Sequence, residues 1–186
     1  SYLSETRRVA SEFLKRNLQL IVFAQSRLST EILTTYLKDD FEGEPGAPER
    51  IRGYRGGYLP LRRHEIEKGL RDGAVRAVVS TNALELGIDI GDLDCAVVVG
   101  FPGSVAALRQ EWGRAGRRQR GLGVLVLGDD ALDQWFARHP QALLERPVEA
   151  IALDPGNPEI RLAHLACAAA EAAVSQRDEH ILGDRK

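Results

Sequence analysis

Four mainly apolar runs recur along the chain, and each is short. They span residues 18–23, 75–80, 95–99 and 123–127 and are rich in valine, leucine and isoleucine. Apolar runs of this length, without regular polar alternation, are typical of strands that are buried on both faces of a parallel sheet. Residues 50–54, which are less apolar, predict a further short strand.

Helical spacing of apolar residues fills the intervals between these strands. Ser26 and Ser29 are candidate caps for one helix, and Pro60 opens another that runs to about residue 72. The first of these helices is expected to place five apolar residues on one side: Leu28, Ile32, Leu33, Tyr36 and Leu37. Further helices are predicted from residue 105, at residues 131–139 and at residues 160–174.

Strands that alternate with helices in this way predict an α/β fold, in which a parallel sheet carries helices on both faces. We expect a lead-in segment at residues 1–17 and one α/β domain at residues 18–147. A linker and a helical extension follow at residues 148–186. This extension could be the start of another domain. A chain of 186 residues is long enough to bury one such core.

Composition narrows the classes of function. The formal net charge of −2 excludes a polycation that binds nucleic acid by bulk charge alone. Cys95 and Cys167 belong to no C-x-x-C pair, so the sequence predicts no metal site and a reduced intracellular setting. No apolar run has membrane-spanning length. The chain starts at Ser1 and contains no methionine, and we therefore expect it to be part of a longer protein.

Two polar runs concentrate the candidate chemistry. The first, Ser-Thr-Asn-Ala-Leu-Glu-Leu-Gly-Ile-Asp-Ile-Gly, occupies residues 80–91, and the second, Gln-Glu-Trp-Gly-Arg-Ala-Gly-Arg, occupies residues 110–117. Between Gly103 and Gly121 there are five arginines and one carboxylate. Because the guanidinium fork matches phosphate oxygens and keeps its charge, this segment is well suited to bind phosphate. We expect both runs at helix starts or at the carboxyl ends of strands, the edge at which open parallel sheets bind ligands.

Four segments resemble the motifs of superfamily 2 helicases. Residues 80–94 resemble motif V, residues 110–117 fit motif VI (Q-x-x-G-R-x-G-R), residues 20–27 resemble motif IV, and residues 54–60 resemble the segment between motifs IV and V. Together they are most similar to the bacterial and fungal DNA-repair helicases related to mitomycin repair factor. The resemblance covers roughly residues 18–140 and implies a RecA-like domain of the P-loop NTPase type.

The resemblance also implies a nucleotide site between two RecA-like lobes, with ATP and Mg²⁺ as cofactors. Arg117 matches the arginine finger of this family and Arg114 its partner, while Gln110 matches the residue that holds the attacking water or the γ-phosphate. A finger of this kind offsets charge on the transferring phosphoryl group, an effect worth roughly 10³–10⁵ in rate.

Further residues match the family's nucleotide-binding and nucleic-acid-binding positions. Asp89 matches the carboxylate that accepts a hydrogen bond from the ATP ribose, and Gly87 and Gly113 match backbone positions close to the nucleotide. The residues that match nucleic-acid backbone contacts are Thr81, Ser26 and Arg27, joined by Arg55 and Gly56.

Simpler interpretations exist for several of these positions. Ser26 is equally typical of a helix cap, a role that is compatible with phosphate binding at a helix start. Asp89 is also typical of a turn or cap, and the glycines of the second run are typical of turns. On their own, the arginines would indicate a solvated surface. The agreement of four motifs in order favours the nucleotide role.

The sequence contains no G-x-x-x-x-G-K-[ST] phosphate loop. Without that loop nothing cradles the β- and γ-phosphates or holds the magnesium ion, so we expect no ATP hydrolysis by this chain alone. The intact protein is expected to carry the loop and an acidic magnesium box on an N-terminal RecA-like lobe, which is the partner of this domain.

The sequence therefore predicts the second motor lobe of an ATP-dependent DNA helicase. The resemblance implies 3′ to 5′ movement on a single-stranded tracking strand, a role in DNA repair, and a place in the bacterial cytosol near the nucleoid. An RNA helicase or a double-strand translocase would share every motif, and both stay open. A non-catalytic nucleic-acid-binding scaffold has no need of Gln110, Arg114 and Arg117. A dinucleotide-binding enzyme is disfavoured because no G-x-G-x-x-G follows the first strand.

Overall fold

A five-stranded sheet forms the core of residues 1–149. The computed structural model describes residues 1–81, 84, 90–91, 93–116, 120–154 and 156–178. The strands are β1 (Leu20–Phe23), β2 (Ile51–Tyr54), β3 (Ala77–Ser80), β4 (Cys95–Val99) and β5 (Leu122–Val126). Their order across the sheet is β2-β3-β1-β4-β5, and every neighbouring pair is parallel. Each strand lies where the apolar runs predicted one, which confirms the α/β fold.

Helices connect the strands and flank the sheet. Those of the first part of the chain are α1 (Tyr2–Lys15), α2 (Arg27–Asp40), α3 (Ala47–Arg50), α4 (Pro60–Arg71), α5 (Val105–Trp112), α6 (Ala131–Arg138) and α7 (Pro140–Leu144). Within the described ranges, no helix combines the length and the hydropathy that a membrane crossing needs.

The sheet is covered on both faces. Along β1, Leu20 and Val22 point to one face, and Ile21 and Phe23 point to the other, because successive side chains of a strand alternate. One face packs against α1 and α2 through Ala10, Leu33 and Leu37. The other packs against α4, α5, α6 and α7 through Ile66, Leu70, Leu108, Phe136 and Leu143. This arrangement confirms the prediction of helices on both faces.

The prediction of the buried side of α2 was partly wrong. Leu33 and Leu37 are buried, but Leu28 and Tyr36 are 70% and 39% exposed. Thr30 and Thr34 lie on the buried side in their place. The Thr34 hydroxyl donates to the carbonyl of Thr30 at 2.7 Å, so its polar group is satisfied within the helix.

Two polar side chains fasten the loops at the ends of the sheet. At the amino-terminal edge, the buried Gln19 amide donates to the carbonyls of Leu70 and Val75, both at 2.7 Å. At the carboxyl edge, the buried Asp133 carboxylate accepts from the backbone N–H of Phe101 at 3.0 Å and of Gly128 at 2.6 Å. Gln19 therefore joins the end of α4 to the approach to β3, and Asp133 joins the loops after β4 and β5.

The chain forms two compact units, Ser1–Glu149 and Ala150–Lys186. The first contains the sheet, and α1 within it packs against the sheet through Ala10. The second contains α8 (Pro158–Glu171), which begins at an Asn157 cap, and a short 3₁₀ turn at Gln176–Asp178. Our division of the chain at residues 17/18 and 147/148 stays a prediction.

The two cysteines should differ in reactivity. Burial, reinforced by the charge of Asp94, raises the pKa of the Cys95 thiol to about 12, whereas Cys167 on α8 is exposed. Because the thiolate is the reactive form, we expect one thiol per native chain to react with a chromogenic disulfide reagent at mildly alkaline pH, and two after unfolding. Cys167→Ser is the control and should leave no reactive thiol in the native chain. Rapid reaction of both thiols in the native protein would contradict the burial of β4.

Candidate nucleotide and nucleic-acid sites

The carboxyl edge of the sheet brings together the residues predicted to bind nucleic acid. Ser26 and Arg27 follow β1, Arg55 and Gly56 follow β2, and Thr81 follows β3. Strand β3 lies between β1 and β2, and the last residues of the three strands are in register. The three loops are consequently neighbours, although they come from segments that are far apart in the sequence.

Ser26 is the N-cap of α2. Its hydroxyl accepts a hydrogen bond from the backbone N–H of Ser29 at 3.0 Å, and its backbone is extended, with φ −141° and ψ 158°. The cap interpretation is confirmed, and phosphate binding by the same residue stays a prediction. The first turn of α2 contains no acidic residue, so the positive end of the helix dipole is not offset by a carboxylate there.

Arg55 is held in place at the same edge by an ion pair and a ring. Its Nε lies 3.0 Å from Glu31 Oε1, and its guanidinium lies 5.2 Å from the centre of the Tyr58 ring. Arg62 lies over the same ring at 4.4 Å. The side chain of Arg55 remains 36% exposed, so it can contact a bound anion without leaving this cluster. At Gly56 the position of a Cβ would be open, with no atom within 4 Å.

Tyr54 anchors the loop that carries Arg55 and Gly56. It is the last residue of β2, and its hydroxyl donates to Glu67 on α4 at 2.7 Å. Burial, followed by this hydrogen bond, raises the pKa of Tyr54 to about 12. The phenol therefore stays protonated and remains a donor across the physiological range.

A cavity of about 410 Å³ opens at the carboxyl ends of β1 and β4. Its lining includes Gln25, Thr81, Gly100, Phe101 and Glu111. After β1 the chain forms β2 and then β3, which both lie to one side of β1 in the sheet order. The later strands β4 and β5 lie to the other side of β1. The cavity thus lies at the topological switch point, where open parallel sheets bind ligands.

The walls of this cavity include features that the sequence did not reveal. Gly100 has a φ of +74°, and a Cβ at this position would lie 2.2 Å from the Gln25 side-chain nitrogen. The positive φ favours glycine at this position, and any side chain here would also displace the end of the Gln25 side chain. Asp133 holds the backbone at Phe101, as described above. Gln25 lies within the segment that resembles motif IV, and Asp133 lies outside all four segments. The contacts of both residues are with segments distant in sequence, so the sequence pattern did not reveal them.

The second motif lies at the opposite edge of the sheet. Helix α5 begins after β4 and runs back along the sheet, and beyond its end Ala115 forms a bridge with Leu93. The backbone N–H of Gly116 donates to the carbonyl of Leu93 at 2.9 Å, just before β4 begins. Gly113 and Arg114 are therefore at the amino-terminal edge, and the prediction that both motifs share the carboxyl edge was wrong. A helix that links parallel strands must run antiparallel to them, so its last residues lie at the amino edge.

The first motif spans the sheet from edge to edge. Thr81 follows β3 at the carboxyl edge, whereas Ile90 and Gly91 precede β4 at the amino edge. Gly91 has a φ of +83°, and a Cβ there would lie 3.5 Å from the Cα of Arg71. The described end of the first motif is thus at the same edge as Gly113 and Arg114. The predicted nucleotide residues Gly87, Asp89 and Arg117 lie outside the described residues.

The end of α5 combines buried and exposed polar groups. Arg114 is 7% exposed and Glu111 is 5% exposed, whereas Gln110 is exposed. Gly113 is the C-cap, and a Cβ there would lie 3.0 Å from the carbonyl oxygen of Arg109. Packing therefore fixes the guanidinium of Arg114, and the absence of a side chain at Gly113 leaves its backbone accessible.

These residues fit one part of an ATP–Mg²⁺ site. The guanidinium of Arg114 suits a phosphate group, because it is a permanently charged donor. The N–H of Gly113 donates to the carbonyl of Arg109 at 2.9 Å, so the glycine offers close approach and not a free donor. Within the described ranges, no group of three or more histidine, cysteine, aspartate or glutamate residues could hold a metal ion.

Comparison with known proteins identifies the family. The sequence matches the helicase conserved C-terminal domain over residues 5–119. The chain belongs to this family. It is 48% identical over 172 residues to the uncharacterized ATP-dependent helicase YprA of Bacillus subtilis, a match that covers 92% of this chain and 23% of the relative. The ATP-dependent helicase hrq1 of Schizosaccharomyces pombe is 34% identical over 189 residues, which covers 100% of this chain and 18% of that protein.

Solved helicase structures have the same fold. The crystal structure of the DUF1998 helicase MrfA bound to DNA and AMPPNP superposes with a TM-score of 0.88 at 45% identity, covering 99% of this chain and 26% of that one. The Mycobacterium smegmatis helicase Lhr, bound to single-stranded DNA and AMP-PNP, gives a TM-score of 0.75 at 29% identity and covers 92% of this chain and 23% of that one. These matches confirm the RecA-like fold of a superfamily 2 helicase C-terminal lobe. The chain spans about a quarter of the length of the relatives named here, or less.

Gly121 should be sensitive to substitution because the backbone approaches it closely. A Cβ at this position would lie 2.4 Å from the backbone nitrogen of Gly116 and 2.6 Å from the carbonyl carbon of Ala115. We expect Gly121→Ala to lower the free energy of unfolding by about 1–3 kcal/mol, as in other overpacked sites. Gly57→Ala is the matched control, since its Cβ would come no closer than 4.0 Å to the nearest atom. Urea unfolding measures both, and equal stabilities would contradict the close approach.

Proposed function

We propose that this chain is the second motor lobe of an ATP-dependent DNA helicase. The observation that carries the proposal is the separation of two residue sets to opposite edges of one sheet. Ser26, Arg27 and Thr81 lie at the carboxyl edge, whereas Gly113 and Arg114 lie at the amino edge. A motor needs this separation, because the nucleotide and the nucleic acid must contact the same rigid lobe at different places.

The amino edge serves ATP hydrolysis in this proposal. Closure of the two lobes brings Arg114 and Arg117 to the γ-phosphate, with Gln110 beside the attacking water. Bound ATP supplies the phosphoryl group whose transfer to water drives the motor. The guanidinium groups offset charge that develops in the transition state. Asp89, Gly87 and Gly113 bind the nucleotide, and the N-terminal lobe supplies most of the Mg²⁺ coordination.

The carboxyl edge serves nucleic-acid binding in this proposal. Ser26 and the start of α2 suit a phosphate group, and Arg27, Arg55 and Thr81 extend the same contact surface, with Gly56 giving close access to the backbone. These contacts are to the sugar–phosphate backbone, so we expect little base specificity and a strong dependence on salt. DNA is favoured over RNA because the solved structures of MrfA and Lhr contain DNA.

Each hydrolysis cycle moves this contact surface relative to that of the first lobe. Because the sheet is rigid, a rotation of the lobe at the amino edge displaces the loops at the carboxyl edge. We propose 3′ to 5′ movement on a single strand and a role in DNA repair, on the strength of the motif resemblance. Unwinding assays with DNA and RNA duplexes that carry single-stranded tails test both the substrate and the direction.

Arg117 should be required for DNA-stimulated ATP hydrolysis by the intact protein. We expect Arg117→Ala to lower kcat by about 10³-fold or more while nucleotide binding is largely kept, because the finger acts on the transition state. Phosphate release, measured with and without single-stranded DNA, tests this. Arg138→Ala, at an exposed position of α6, is the control. The 186-residue chain alone should show no turnover. Turnover by the intact protein that ignores both DNA and Arg117→Ala would refute the motor assignment.

Arg55 should contribute one phosphate contact to single-stranded DNA. Removal of one such contact lowers the slope of log K against log salt by about 0.7 for single strands, and affinity falls for all sequences alike. We expect this result for Arg55→Ala in fluorescence anisotropy titrations of the intact protein at several salt concentrations. Arg138→Ala should leave the slope unchanged. A base-dependent loss of affinity would indicate direct base contact in place of backbone contact.

A further inference from the structure

The amino terminus of α5 is capped from a distant part of the chain. The backbone N–H of Val105 donates to Glu149 Oε1 at 2.7 Å, and that of Ala106 donates to Glu149 Oε2 at 3.1 Å. The hydroxyl of Ser104 accepts from Ala107 N–H at 3.0 Å. The free donors that begin any helix are thus satisfied here, two of them by one carboxylate about forty residues downstream.

A second contact fastens the same downstream segment to the middle of α5. The guanidinium of Arg109 donates to the carbonyl of Arg146 at 2.6 Å and lies 3.5 Å from that of Leu144. We refer to residues 144–149 as the strap. Arg109 contacts the beginning of the strap and the first turn of α5 contacts its end, so the strap runs antiparallel to the helix.

The strap contacts the helix that carries the candidate nucleotide residues. Gln110 directly follows Arg109, and Gly113 and Arg114 follow at the end of α5. A helix of eight residues is short enough that a displacement at its first turn reaches its last. The strap is also the final segment of the first compact unit, and the chain continues from it into the second.

We propose that Glu149 and Arg109 are positioning residues, which fix α5 through the strap so that Gln110 and Arg114 are held in place for ATP hydrolysis. This inference rests on the proposed function and assigns a role to residues that no helicase motif includes.

Electrostatics favour the contact at Glu149. The hydrogen bond from Val105, followed by other backbone donors, lowers the pKa of this carboxyl below its ordinary value. The carboxylate also lies at the positive end of the helix dipole. The folded state therefore holds the charged form, and the contact is present above the ordinary pKa and is lost as the pH falls through the lowered value. At neutral pH Glu149 is charged, and its hydrogen bonds to the start of α5 are formed.

The test compares variants of the intact protein by two measurements. Hydrogen exchange of the backbone amides at residues 105–107 reports the capping of α5, and DNA-stimulated ATP hydrolysis reports the position of Gln110 and Arg114. We expect Glu149→Ala to accelerate this exchange and to lower kcat about fivefold or more, with KM for ATP within about twofold of wild type, since small misplacements in an active site cost up to ~100-fold.

Further variants separate positioning from a general loss of structure. Arg109→Ala should lower kcat similarly, and the double variant should be little worse than either single one, because both act through the same strap. Glu149→Gln keeps one acceptor and should recover part of kcat. Glu145→Ala is the matched control: this exposed strap residue forms no side-chain hydrogen bond or ion pair within the described part of the chain, so both measurements should match wild type.

Two outcomes would overturn the proposal. Unchanged exchange in Glu149→Ala would show that the carboxylate does not cap α5. Faster exchange with kcat within twofold of wild type would show a cap without a positioning role. Absence of DNA-stimulated hydrolysis in the wild type would instead refute the proposed function. The exchange measurement would then still test whether Glu149 caps α5.

Discussion

Parallel pairing of β1 with both β3 and β4 is the constraint on which the rest of the structure depends. Parallel neighbours cannot be joined by a tight turn, so each connection must cross the sheet from its carboxyl edge to its amino edge. Every crossing segment therefore begins at one edge and ends at the other. This geometry separates Thr81 from Gly91 within one motif, and it separates Ser104, just before α5, from Arg114, just after it.

The separation has a functional consequence for a motor lobe. The described residues that we predict to bind nucleic acid follow strands, and those that we predict to bind nucleotide precede them. The central strands β1, β3 and β4 are fully buried, and a close-packed core of this kind moves as a rigid body. Movement at one edge must then appear at the other, without any hinge inside the sheet.

Polar side chains at the edges of the sheet hold together loops that the apolar core does not fix. Gln19, Asp133 and Glu149 each accept or donate hydrogen bonds that join loops from different crossings. Removing Gln19 or Asp133 would leave buried backbone groups unsatisfied, at a cost of about 1–3 kcal/mol for each. These residues hold the loops in position and lie outside the helicase motifs, so their effect on function is through geometry.

The sequence by itself determined the α/β class, the five strands and the resemblance to helicase motifs. Apolar runs such as residues 95–99 are decisive, because only strands covered on both faces tolerate them. The tertiary structure alone decided the edge at which the second motif lies, the buried side of α2, and the partners of Gln25, Asp133 and Glu149. The pattern of apolar residues along the sequence describes the surroundings of a residue within its own helix or strand. The edge, the buried side and the partners depend instead on which distant segments the connections across the sheet bring together.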